Sequence, residues 1–93
     1  MLKTFNKQTG DRLDFDFDYT KFLAARGDDT IESATIVAES GLTIDSSLIV
    51  DNRLVKFFCS GGTDQQKYKV TCIAQTVGGR VIEAECYVAI QDT

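Results

Sequence analysis

The sequence offers four patterns that could do chemistry. The run Asp14-Phe15-Asp16-Phe17-Asp18 imitates the opening of a calcium-binding loop, in which alternating carboxylates turn their oxygens toward one ion. Such a loop needs glycine at its sharp bend and a bidentate glutamate to close it. Here those positions hold Tyr19 and Ala25. Ser60-Gly61-Gly62-Thr63 has the glycines of a phosphate-binding turn, without the lysine and helix that complete one. Cys59, Cys72 and Cys86 are potential nucleophiles, but the chain contains no histidine to generate a thiolate. Serine catalysis lacks the same base and any nucleophile-elbow sequence. No catalytic, cofactor-binding or metal-binding residue is therefore assigned, no cofactor is expected, and the chain is read as not an enzyme.

The elements carrying these residues are mostly strands. Asp11 to Tyr19 alternates Leu13, Phe15, Phe17 and Tyr19 with polar residues, the period of a half-buried strand whose aspartates face water. Thr20 to Gly27 suits a helical turn or two, capped by Asp18 or Thr20 and ended by a left-handed Gly27. Thr30 to Ser40 is rich in β-branched residues, and a bulge would reconcile Ile31 and Ile36, which fall on opposite parities. Leu42-Thr43-Ile44 and Leu48-Ile49-Val50 read as short strands around a turn at Asp45-Ser46-Ser47, with a second turn at Asp51-Asn52. Arg53 to Ser60 puts Val55, Phe57 and Cys59 on one face, before a loop through Gln66.

Lys67 to Val77 and Val81 to Ile90 form a hairpin around Gly78-Gly79-Arg80. A two-residue loop would drive Glu83 and Glu85 into the core face. A three-residue loop instead pairs Ala74 with Ala84, Cys72 with Cys86 and Val70 with Val88, placing the two thiols directly opposite each other, close enough to join if oxidised and otherwise packed as core residues. On the outer face this leaves Ile73, Val77, Val81 and Tyr87, the candidate interaction surface.

About seven short strands with turns every ten or so residues predict an all-β, immunoglobulin-like antiparallel β-sandwich with one short helical segment. An SH3-like or OB barrel is the structural alternative. The 93 residues suit one domain, 1–93, with a core over about 12–91 and flexible ends at 1–10 and 92–93. Fourteen acidic against ten basic residues give a formal charge of -4, which opposes a nucleic-acid partner. No stretch is apolar enough for a membrane span or a signal peptide, so the chain is read as cytoplasmic when synthesised.

Asp18 with Phe22-Leu23, then Gly27-Asp28-Asp29-Thr30-Ile31-Glu32-Ser33 and Gly41-Leu42, resemble small immunoglobulin-like virion proteins of tailed bacteriophages and prophages. Ser60-Gly61-Gly62-Thr63, Tyr68-Lys69-Val70-Thr71 and Thr76-Val77-Gly78-Gly79-Arg80 extend that resemblance from Asp14 to Ile90. It implies a non-catalytic structural protein of tail-fibre adaptor or head-tail type, acting by protein-protein contact in assembly. The implied partners are other virion proteins and, as a homo-oligomer, itself, with no nucleic acid, membrane or small molecule. The implied location is the cytoplasm, then the virion. A different class of function is a soluble bacterial binding or regulatory module, which would recognise its partner through the loops Gly61 to Gln66 and Gly78 to Arg80 at one end.

Overall fold

The computed structural model describes residues 3–93. Seven strands, β1 (Lys3–Lys7), β2 (Leu13–Asp18), β3 (Ile31–Ala38), β4 (Leu42–Val50), β5 (Leu54–Gly61), β6 (Lys67–Thr76) and β7 (Val81–Ile90), are joined by one helix, α1 (Thr20–Ala24). They build a four-stranded sheet ordered β1-β7-β6-β3 and a three-stranded sheet ordered β2-β5-β4. The chain is thus a β-sandwich. Its strand order is that of an immunoglobulin domain in which the first strand has left the second and pairs with the last. That pairing, β1 with β7, is parallel in an otherwise antiparallel arrangement.

The alternation of side chains along each strand decides what lies between the sheets. Val55, Phe57 and Cys59 of β5 face Val70, Cys72 and Ala74 of β6, all with no exposed surface, and Cys86, Val88 and Ile90 of β7 join them. An aromatic chain crosses the same space: Phe5 stacks on Phe15 at 4.5 Å, and Phe15 and Phe17 each lean on Phe57. Leu23 of α1, 1% exposed, plugs one end of the sandwich, while Phe22 stays half-buried under the Arg26 guanidinium. The Asp18 carboxylate accepts the Thr20 N–H at the start of α1, and Gly27 follows its end at φ +71°. At the other end the Tyr68 hydroxyl accepts the Thr63 N–H, a corner that ties the β5–β6 loop to β6. Its ring lies where a Cβ on Gly41 would come within 2.8 Å, and Gly41 is at φ +111°, so no side chain fits there.

Two expectations about the strands are corrected. Residues 1–10 were expected as a flexible end; Met1 and Leu2 lie outside the described residues, but Lys3–Lys7 form β1. This strand has one apolar residue in five, so it carries no alternation to detect. Parallel pairing with β7 and the buried Lys7 hold it, the Lys7 Nζ donating to the Gln8 and Gly61 carbonyls at 2.6 and 2.7 Å. The expected turn at Asp45-Ser46-Ser47 is a bulge at Asp45 within the single strand β4, and its carboxylate pairs with Arg12 at 3.3 Å. The bulge shifts the inward parity from Leu42 and Ile44 to Ile49, which made one strand read as two. The bulge expected in β3 is present, between Ile31 and Ser33.

The final hairpin is shifted by two residues. Cys72 lies opposite Ala84 and Cys86 opposite Val70, so the two thiols are not directly opposed. A shift of two leaves every residue on its face, and burial alone could not see it. The three buried thiols are free, and burial pushes the Cys86 thiol up to about 12. The alternation of faces along β6 predicts a contrast at two adjacent residues. Val70→Asp should cost more than about 4 kcal/mol by burying an unpaired charge. Thr71→Asp, outward but opposite Glu85, should cost below about 1 kcal/mol. Urea unfolding midpoints at equal m-values measure both, and equal losses would contradict this packing.

Candidate functional site

The outer face of the four-stranded sheet carries the residues expected to make contacts. Ile73 lies at its centre on β6, between Thr35 of β3 and Glu83 of β7. Val81 opens β7 opposite Gln75, and Val77 stands in the turn between the strands; these two valines are 67% and 68% exposed. Tyr87 sits six residues along β7 from Val81, about 20 Å away at the rise of a strand. Glu83 and Glu85 lie between them, and Lys67 holds its ammonium 4.6 Å from the Tyr87 ring. The structure therefore groups Ile73, Val77 and Val81 toward the hairpin tip and sets Tyr87 apart from them.

Sequence reading missed one member of this face. Val37 on β3, 55% exposed, pairs with Thr71 and points outward beside Ile73. Its orientation depends on where the β3 bulge falls, since residues after the bulge reverse parity relative to Ile31. With the bulge at Glu32, odd positions face out.

The tip is held rigidly, and Asp29 is the residue that holds it. One carboxylate oxygen accepts the N–H groups of Thr30 and Gly78, both at 2.9 Å; the other takes the Arg80 guanidinium at 2.8 Å. Val77 N–H donates to the Thr30 carbonyl, and the Thr76 hydroxyl accepts the Arg80 N–H, both at 2.9 Å. A Cβ on Gly78 would lie 2.8 Å from both the Asp29 carboxylate and the Arg80 guanidinium, so a side chain there would have to displace this ion pair. Hydrogen bonds from the Thr76 hydroxyl, then from Gly78 and Arg80, bring the Asp29 carboxyl from the ordinary 3.8 down to about 2. Nothing in the run Gly27-Asp28-Asp29 distinguishes this aspartate from a turn residue, because its partners come from the last hairpin.

The other patterns in the sequence have structural employment. Lys56 bridges Asp14 and Asp16 at 2.9 and 3.1 Å on the outer face of β2 and β5. The loops 61–66 and 78–80, expected together at one end, lie at opposite ends. Gln65 N–H donates to the carbonyl of Ile90 at the close of β7, whereas 78–80 precede its first residue. Beside α1 is a cavity of about 70 Å³ lined by residues including Leu23, Asp29 and Arg53. That is well below the roughly 300 Å³ at which small-molecule pockets begin.

Asp29 generates a pH prediction. With its carboxyl depressed in the folded state, its contribution is full above the unfolded value of 3.8 and is lost as pH falls toward about 2. Asp29→Asn should lower the melting temperature at pH 7 and flatten the fall in stability between about pH 4 and pH 2. Thermal melts across that range measure it, and an unchanged acid limb would show that Asp29 does not carry it.

A family model described as podophage GP4 fiber-tail adaptor protein gp77 matches residues 7–89. No curated protein matches the chain.

Proposed function

Because the chain belongs to the podophage GP4 fiber-tail adaptor protein gp77 family, and so to the structural proteins of bacteriophages, we propose that it is a non-catalytic component of the virion acting by protein-protein contact in tail or head-tail assembly. Its partners are other virion proteins, and a second copy of itself is among the candidates. It is made in the cytoplasm and ends in the virion. Among the described residues, no helix is long and apolar enough to cross a membrane.

The observation that supports this reading best is the hairpin tip. Val77 and Val81 are two-thirds exposed on a turn whose backbone is already fixed by Asp29, Thr30 and Thr76. A contact made by a preorganised loop loses little conformational freedom on binding. Ile73 extends the apolar surface inward along β6, and Tyr87 supplies a second contact point farther along β7. Aromatic residues of this kind commonly anchor interfaces.

Two measurements test the proposal. Mass spectrometry of purified virions should find the chain at a fixed ratio to a major tail or capsid protein; reproducible absence would sink the virion role. The double variant Val77→Asp with Val81→Asp should fold with stability within about 1 kcal/mol of the parent, since both sites are exposed, and should be lost from particles. Normal incorporation would remove the tip from the contact surface.

A further inference from the structure

The two sides of the sandwich are finished differently. On one, Phe5 stacks on Phe15, and the short edge strands β1 and β2 carry Lys3, Lys7, Asp14, Asp16 and Asp18. On the other, β3 and β4 run for eight and nine residues with one charge each, Glu32 and Asp45, and both charges sit in the bulges. Edge strands are normally blunted by charge, proline, shortness or a bulge, because their free N–H and C=O groups template pairing with another chain. Past their bulges, β3 and β4 have none of these.

The apolar seam between these two edges is incomplete. Ala34, Ile36 and Ala38 of β3, and Ile44 and Ile49 of β4, point inward yet stay only half-buried, whereas Cys72 and Phe57 on the adjacent strands have no exposed surface. Variable-type immunoglobulin domains extend their third strand with two further strands at this place. Here Glu39, Ser40 and Gly41 lead from β3 directly into β4, so no strand fills that position among the described residues. The hydrogen-bonding phase is fixed as well. Glu39 N–H donates to the Lys69 carbonyl on β6, and alternation along an antiparallel ladder then aims the N–H and C=O of Ala34, Ile36 and Ala38 at the free edge.

We infer that the free edge of β3 accepts an extended strand donated by a partner protein, uncharged and with alternating apolar side chains that fill the seam against Ile36, Ile44 and Ile49. Main-chain hydrogen bonds to Ala34, Ile36 and Ala38 supply the attachment, and the inward side chains supply the selectivity. A folded second copy of this chain is the poorer occupant, because the inward residues of its own β3 already face its own core. The inference rests on the reading that the chain works by contact with other virion proteins, and it names the kind of segment that makes such a contact.

The probe is a synthetic peptide of alternating valine and threonine, about eight residues long to match β3, with the full chain followed by residue-resolved amide hydrogen exchange. Saturable binding should slow exchange at Ala34, Ile36 and Ala38 about tenfold or more, with β1 and β2 unchanged. Ala34→Pro removes an N–H that faces the free edge and leaves the ladder to β6 intact; it should weaken peptide binding about tenfold. Should that variant fail to fold, the protection map of the parent chain decides alone. No binding, protection on another edge, or protection of these amides by raised protein concentration without peptide would each overturn the inference, the last by assigning the edge to a second copy. Virion composition is measured separately, so absence from particles would remove the proposed function and not the strand-acceptor result.

Discussion

The structure depends on one contact, the inner face of β5 laid against the inner face of β6. Val55, Phe57 and Cys59 meet Val70, Cys72 and Ala74 at the centre of both sheets, where every side chain is out of water. Burial of this kind is worth roughly 25 cal/mol for each Å² of apolar surface, and it is non-directional. It therefore brings the sheets together without specifying how their margins end. Directional interactions at the periphery supply that: the Lys7 ammonium on two carbonyls, the Tyr68 hydroxyl on Thr63, and the Asp29 carboxylate on the final hairpin.

Asp29 links the packing to the exposed surface most directly. Left to itself, a turn of Val77, Gly78 and Gly79 between two strands would be mobile, with two glycines and no buried side chain. The carboxylate, reaching from the loop after α1, converts it into a fixed projection bearing two exposed valines. The same logic separates the two sides of the sandwich. Charge and aromatic stacking finish the β1 and β2 side, while the β3 and β4 side carries no charge past its bulges and keeps a half-covered apolar seam.

The sequence patterns that imitate reactive sites are occupied by structural contacts. The carboxylates that imitate a calcium loop flank Lys56, and Gly62 of the run that imitates a phosphate turn makes room for Tyr68 and Ile90. The thiols are packed in the core with their ionisation suppressed by burial. The family to which the chain belongs is consistent with work done by surfaces.

Parity was legible in the sequence because it is local. Alternating apolar residues showed which faces of β2, β5, β6 and β7 turn inward, and the clash of Ile31 with Ile36 showed that β3 carries a bulge. The outward positions of Ile73, Val81 and Tyr87 followed from the same rule. Register, by contrast, was decided only in three dimensions. A slip of two residues preserves every face, so the hairpin could be placed only by Asp29, Thr30 and the Thr76 hydroxyl, which select Thr76 and Arg80 as its closing pair. β1 was invisible for a related reason: its stability lies in a parallel partner more than eighty positions away along the chain and in a lysine whose acceptors are backbone carbonyls. Patterns between neighbouring residues specify faces, whereas the partners of edges, turns and bulges are distant groups that meet only once the core has closed.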